Sequence, residues 1–255
     1  MNKIVITNMK GGVGKTTSVI EIATCLSKQG KRVLVIDYDQ QCNLTKYVGA
    51  NTQDNTIYTV LTATCPIADA IQNLKNFDFI SGSDGLSKAD RMFVDNDDKY
   101  LLDEVLKYVK DRYEYVLVDT GPTRNILLTQ AYVAADYVIV PTECDEGSRD
   151  GIIAIEKDIE KLRNGRDHAS HAQVLGYILI KYEKTSMHEL AEEELHELAS
   201  QKEDMPFVRR VRKAINMSKI KTLRTSITEY AASTPPARDY YSITEEIINR
   251  IEKGE

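Results

Sequence analysis

A chain of 255 residues with 42% hydrophobic and 28% charged side chains can bury a full core, and nothing in it is Pro- or Gly-rich enough to suggest disorder or a linker. Its apolar runs fall far short of the ~20 residues needed to cross a bilayer, and the start MNKIVITN lacks a signal-peptide core, so the sequence predicts a cytoplasmic protein. A net charge of −6 argues against nucleic-acid binding unless positive charge is gathered locally, and four scattered cysteines (Cys25, Cys42, Cys65, Cys144) show neither zinc nor disulfide spacing.

In chain order, Lys3 to Thr7 is a β-branched run, followed by a Gly-rich turn and then by Thr16 to Lys28, where Val19, Ile22, Ala23 and Leu26 recur at helical spacing. Gly30 ends that helix, and Arg32 to Asp37 reads as a second strand ending at carboxylates. Phe77 to Ile80, Tyr115 to Asp119, Tyr137 to Pro141 and Val174 to Ile180 supply four more apolar runs, with helical patterns at Leu101 to Val109 and Gly151 to Leu162. Strands that are almost continuously apolar and alternate with helices imply an α/β fold, a mostly parallel twisted sheet with helices on both faces. With no internal repeat and no domain boundary, residues 1–255 read as a single doubly wound domain. Ligands of such sheets bind beyond the carboxyl ends of the strands, where the first loop, Asp37 to Asp39, Asp119 and Pro141 to Glu143 should converge.

The first loop is Lys10-Gly11-Gly12-Val13-Gly14-Lys15-Thr16-Thr17, set between a strand and a helix. Glycines let backbone N–H groups turn toward phosphate oxygens, the helix N-terminus adds partial positive charge, Lys15 reaches the β- and γ-phosphates, and the Thr16 hydroxyl suits Mg²⁺. The strict Walker A pattern wants Gly where this chain has Met9. A loop of this form resembles the deviant Walker A of the ParA/MinD family, and among its members the short ParA/Soj-type DNA-partitioning ATPases that carry no helix-turn-helix domain. That resemblance runs from Lys3 to about Ile251 and implies a P-loop ATPase that hydrolyses ATP with Mg²⁺.

Further roles follow from the resemblance. Lys10 stands at the signature lysine, which in that family crosses a dimer interface to the partner's ATP, implying an ATP-sandwiched homodimer. Val35 to Thr45 (VIDYDQQCNLT) resembles the motif written Asp-x-Asp-Pro-Gln-Gly-Asn, with Gln40 and Cys42 in place of Pro and Gly. Asp39 takes the position that orients the attacking water and lies near the metal, chemistry that rests on positioning and electrostatics. Tyr115 to Asp119 resembles Walker B, with Asp119 as a metal-site carboxylate. The family continues Asp-x-Pro-Pro, whereas Thr120-Gly121-Pro122-Thr123 follows here, so the loop sensing the γ-phosphate is expected to differ in shape. Val208 and Arg210 occupy the adenine-contacting positions of the family's Pro-Arg-Asn-Val-Arg segment, and base contacts there would come from backbone.

Charge is segregated near the C-terminus. Glu189 to Asp204 is acidic, while Phe207 to Arg224 carries Arg209, Arg210, Arg212, Lys213, Lys219, Lys221 and Arg224 with no Asp or Glu. Such a run reads equally as a solvated surface or a phosphate-binding one; the resemblance favours sequence-independent binding to double-stranded DNA at the nucleoid. Lys184 and Arg209 stand where the family has DNA-contacting arginines, with Arg212, Lys213, Lys219, Lys221 and Arg224 alongside. A ParB-like centromere-binding partner is implied by the resemblance alone.

Rival readings are weaker. A MinD-like membrane regulator needs a basic amphipathic C-terminal helix, but Ser242 to Glu255 holds Glu245, Glu246, Glu252 and Glu255 against Arg250 and Lys253. Its Ile243, Ile247, Ile248 and Ile251 fit a core-packing helix, so no membrane association is expected. An iron–sulfur electron carrier lacks its cysteines, and no second acid–base constellation supports a small-molecule kinase or ligase. The intact nucleotide set argues against a DNA-binding module without ATPase chemistry.

Overall fold

The computed structural model describes residues 1–52, 55–145 and 147–253, so Glu255 of the acidic tail lies outside the described residues. In chain order the elements are β1 (Asn2–Ile6), α1 (Lys15–Lys28), β2 (Val33–Tyr38), α2 (Asn43–Val48), α3 (Ile57–Leu61), α4 (Ile67–Ala70), β3 (Ile71–Asn73), β4 (Asp78–Ile80), α5 (Ala89–Met92), α6 (Leu101–Lys107), β5 (Tyr115–Thr120), α7 (Ile126–Ala134), β6 (Tyr137–Thr142), α8 (Ser148–Arg163), β7 (Gln173–Tyr182), α9 (Ser186–Ser200), β8 (Phe207–Arg212), α10 (Ile220–Leu223), α11 (Ile227–Tyr230) and α12 (Pro235–Lys253). Short 3₁₀ turns at Asp84–Lys88, Asn96–Tyr100 and Ile215–Ser218 join some of them.

Among the described residues the strands form one eight-stranded sheet of order β3-β4-β2-β5-β1-β6-β7-β8. Every pairing is parallel except β3 with β4. This is the α/β, mostly parallel sheet that the strand–helix alternation implies, and its central strands β2 and β5 are buried at every position because helices cover both faces.

The two faces carry separate apolar cores. One packs Val19, Ile22 and Leu26 of α1 with Ala237, Tyr240, Ile243 and Ile247 of α12 against Ile4, Ile6, Val33 and Leu117. The other packs Leu102 and Leu106 of α6, Leu127 and Ala131 of α7, Ile152 and Ile155 of α8 and Leu195 and Leu198 of α9 against Val5, Leu34, Val116 and Tyr177. Even and odd residues of β1, β2, β5 and β6 supply opposite faces, as the pleat demands, while irregularities in the pairing of β7 shift its alternation.

Two strands escape the apolar-run reading. β3 is three residues long, and β8 (FVRRVR) interleaves arginines with apolar residues because it is the outer edge of the sheet, where one side is open to water. Phe207 and Val211 enter the α12-side core and Val208 the α9-side core, so the Arg-rich block begins as a structural strand.

Candidate nucleotide site

The carboxyl ends of β1, β2, β5 and β6 meet where the strand order turns back on itself, between β5, β1 and β6. The β2–β5 register sets Asp37 beside Asp119, and β1 leads from Ile6, paired with Asp119, into the Gly-rich loop.

That loop is bent by glycines. Gly12 (φ 80°) and Gly14 (φ 77°) hold left-handed backbone that other residues rarely adopt, and a Cβ at Gly14 would sit 2.7 Å from Ile180 Cδ1. Gly11 and Gly12 have nothing within 4 Å of where a Cβ would stand, which leaves the concave side open for a ligand. Asn8, which the motif reading passes over, is buried and ties the loop down. Its Nδ2 donates to Pro141 O at 2.8 Å, and its Oδ1 accepts from Lys10 N at 2.9 Å. The signal for it in sequence is weak, since an Asn after a strand is ordinary turn chemistry.

Lys15, the first residue of α1, is 7% exposed and curls back to donate to Asn8 O (3.0 Å) and Lys10 O (2.9 Å). Burial lowers its pKa, with the charges of Asp119 and Asp39 opposing the shift. Lys10, by contrast, points outward and pairs with Asp145, beyond the end of β6.

Thr16 Oγ1 donates to Asp119 Oδ2 at 2.7 Å. The other oxygen, Asp119 Oδ1, is buried without a hydrogen-bond partner, and burial, then the charge of Asp37, pushes this carboxyl well above its ordinary range. A buried acceptor left unpaired is costly, and an orphan beside a hydroxyl and a phosphate-type loop fits a hydrated Mg²⁺ held by Thr16 and Asp119.

Asp37 has its own partners. Its Oδ2 accepts from Thr45 N (2.7 Å) and Thr45 Oγ1 (2.6 Å), and its Oδ1 from Asp39 N (3.2 Å). Burial raises it to about 6, against those hydrogen bonds. Asp37 therefore fixes the loop that carries Asp39, whose Oδ1 accepts from Gln41 N at 3.0 Å. A Cβ at Gly121 would lie 2.7 Å from that same oxygen, so the glycine that departs from the Asp-x-Pro-Pro pattern leaves room for the Asp39 carboxylate in this position. At Cys42, where the resembled motif has Gly, the backbone is left-handed (φ 50°, ψ 41°), a conformation disfavoured by roughly 1–2 kcal/mol for a residue with a Cβ.

A family model described as an AAA domain matches residues 1–170. The chain belongs to that family. Within it, the chain is a ParA/Soj/MinD-type P-loop ATPase with a deviant Walker A loop, homologous to chromosome- and plasmid-partitioning ATPases. It is similar to the chromosome-partitioning ATPase Soj of Treponema pallidum, with 28% identity over 250 residues, 97% of each chain. Similarity to the chromosome-partitioning protein ParA of Caulobacter vibrioides is 28% over 254 residues, covering 97% of this chain and 94% of that one. In fold it resembles an McdA–ATP complex from Cyanothece, with a TM-score of 0.87 and 22% identity over 98% of this chain and 96% of that chain.

For this ParA-type ATPase the basic block is divided by its surroundings. Arg209 Nη2 lies 2.8 Å from Glu246 of α12, and Arg212 makes a forked contact with Asp239 of the same helix (Nε 3.0 Å, Nη2 2.6 Å). Arg210 stacks over the Tyr182 ring at 4.5 Å and pairs with Glu192 of α9, and Lys213 pairs with Glu183. Lys184, Lys219, Lys221 and Arg224 are exposed and make no ion pair among the described residues. Sequence order gathers the seven cations; the fold gives four of them to acidic partners.

Val208 is a core side chain, and its carbonyl accepts from Arg209 Nη1 at 3.1 Å. Arg210 faces α9 through its pair with Glu192. α12 buries Ile243, Ile247 and Ile248, the apolar stripe a lipid-docking helix would need free. Among the described residues no helix is long and apolar enough to cross a membrane.

Proposed function

We propose that this chain is a DNA-partitioning ATPase whose ATP-bound homodimer holds double-stranded DNA without reading its sequence, and releases it on hydrolysis. The observation that carries the reading is the loop itself: Lys15 buried on two loop carbonyls, Thr16 joined to an Asp119 that keeps one oxygen unpaired, and a second lysine, Lys10, aimed out of the subunit. The Soj and ParA relatives support it, as does the McdA likeness in fold.

The residues then have these parts. Phosphate draws Lys15 off Asn8 O and Lys10 O, while N–H groups from Gly11 to Thr17 line the phosphates. Thr16 and Asp119, with Asp39 nearby, would hold Mg²⁺, which when bound would supply charge neutralisation at the phosphates. Asp39, set by Asp37, orients the attacking water. Lys10 of each subunit completes the other's site. Two subunits double the cationic surface presented to DNA, so occupancy follows nucleotide state. Lys184, Lys219, Lys221 and Arg224 carry most of that binding, because the remaining cations already have carboxylate partners. A ParB-like partner stimulates hydrolysis, and the whole chain acts as one ATPase unit in the cytoplasm at the nucleoid.

The test is binding to a random-sequence duplex at several salt concentrations, without nucleotide, with ADP, and with ATP and Mg²⁺. Salt-sensitive binding is expected only with ATP, and Lys10→Ala should abolish both binding and dimerisation. Absence of DNA binding in every state, with sedimentation on anionic liposomes instead, would establish the membrane-regulator alternative.

A further inference from the structure

We infer that Asp145 is a positioning residue that holds Lys10 within its own subunit, so that each Lys10 must be released before it can serve a second copy of the chain. The inference rests on the ATP-sandwich reading and adds to it what restrains the signature lysine beforehand.

The backbone of Lys10 is anchored at both its N–H and its carbonyl. Its N–H donates to Asn8 Oδ1 at 2.9 Å, its carbonyl accepts from Lys15 Nζ at 2.9 Å, and Asn8 is itself bound to Pro141 O. Only the side chain is free to swing, and its ammonium is on Asp145 Oδ2. Asp145 is fixed in turn. Ser148 Oγ lies 3.0 Å from its Oδ1 and donates to Glu143 O at 2.6 Å, and the Asp145 N–H donates to Glu143 O at 3.1 Å. Glu143 is engaged by Lys181 at 2.5 Å, so no other carboxylate from this loop is offered to Lys10 among the described residues.

One ammonium cannot sit on Asp145 and reach across to a partner's phosphates at the same time, because the Lys10 N–H is tied to Asn8 Oδ1 whether or not phosphate has drawn Lys15 off the Lys10 carbonyl. Closing the dimer therefore breaks two such pairs. The Lys10 side chain is 52% exposed and that of Asp145 27%, so each pair is a surface ion pair, worth roughly a factor of two in an equilibrium. Two of them restrain the dimer by roughly fourfold. That is small enough for ATP to overcome, and it biases nucleotide-free subunits toward the monomer by the same factor.

The experiment is sedimentation velocity of the full chain with a non-hydrolysable ATP analogue and Mg²⁺, comparing wild type with Asp145→Asn, which keeps a polar atom beside Ser148 Oγ, and with Asp145→Ala. Both variants should lower the dimer dissociation constant by roughly fourfold, leaving ADP affinity of the monomer unchanged. If wild type dimerises and both variants show the same or a weaker dimer, the latch is overturned while the sandwich reading stands. If no chain dimerises at saturating analogue, the sandwich reading falls and the latch with it.

Discussion

Glu21 offers a measurement that sets burial against hydrogen bonding. It lies on α1 with no exposed surface, and its carboxylate receives Ile227 N (2.6 Å), Thr228 N (3.2 Å) and Thr228 Oγ1 (3.1 Å), which binds the nucleotide helix to the segment following the basic block. Burial raises its pKa from 4.5 to about 7, with those three hydrogen bonds and Lys28 opposing the shift. A raised folded-state pKa means the native state holds the proton where the unfolded chain has lost it. The associated stability is fully present below pH 4.5 and is lost as pH rises through about 7. The shift corresponds to about 3 kcal/mol. Glu21→Gln cannot titrate, so the difference in unfolding free energy between wild type and variant should fall by about 3 kcal/mol from pH 4.5 to 8, all other groups cancelling. Denaturant unfolding of both proteins across that range is the assay. A difference that is flat, or that grows with pH, would refute the reasoning and show that the three donors outweigh desolvation and keep Glu21 charged.

Asp119→Asn should keep the Thr16 hydrogen bond yet lose the thermal stabilisation that ATP with Mg²⁺ confers on wild type; an undiminished melting shift would remove Asp119 from the metal site. Asp39→Ala should leave ATP-dependent DNA binding intact and stop release, read as a bound fraction that does not decay as ATP is consumed; unchanged turnover would clear Asp39 of its role. Replacing Lys219, Lys221 and Arg224 by Ala together should reduce the slope of log K against log salt by about 0.9 for each DNA phosphate that is no longer neutralised, whereas Arg209→Ala with Arg212→Ala should leave it nearly unchanged. The opposite ranking would return the DNA surface to β8. Ile247→Ala should cost roughly 2–5 kcal/mol of stability, the value of a buried core position; a change within ±0.5 kcal/mol would contradict the packing of α12.

The sequence by itself determined the P-loop, the alternation of strand and helix, and the placing of Asp37, Asp39 and Asp119 at strand ends. These are set by local chemistry: glycines that permit left-handed backbone, β-branched runs, and a helix that starts where phosphate would sit. The apolar stripe of α12 was readable for the same reason. Tertiary structure alone decided that Val208 enters a core, that Arg209 and Arg212 serve Glu246 and Asp239, and that Lys10 rests on Asp145. Each of these pairings joins residues far apart in the chain, and a charge on a one-dimensional string carries no record of which opposite charge the fold will bring beside it.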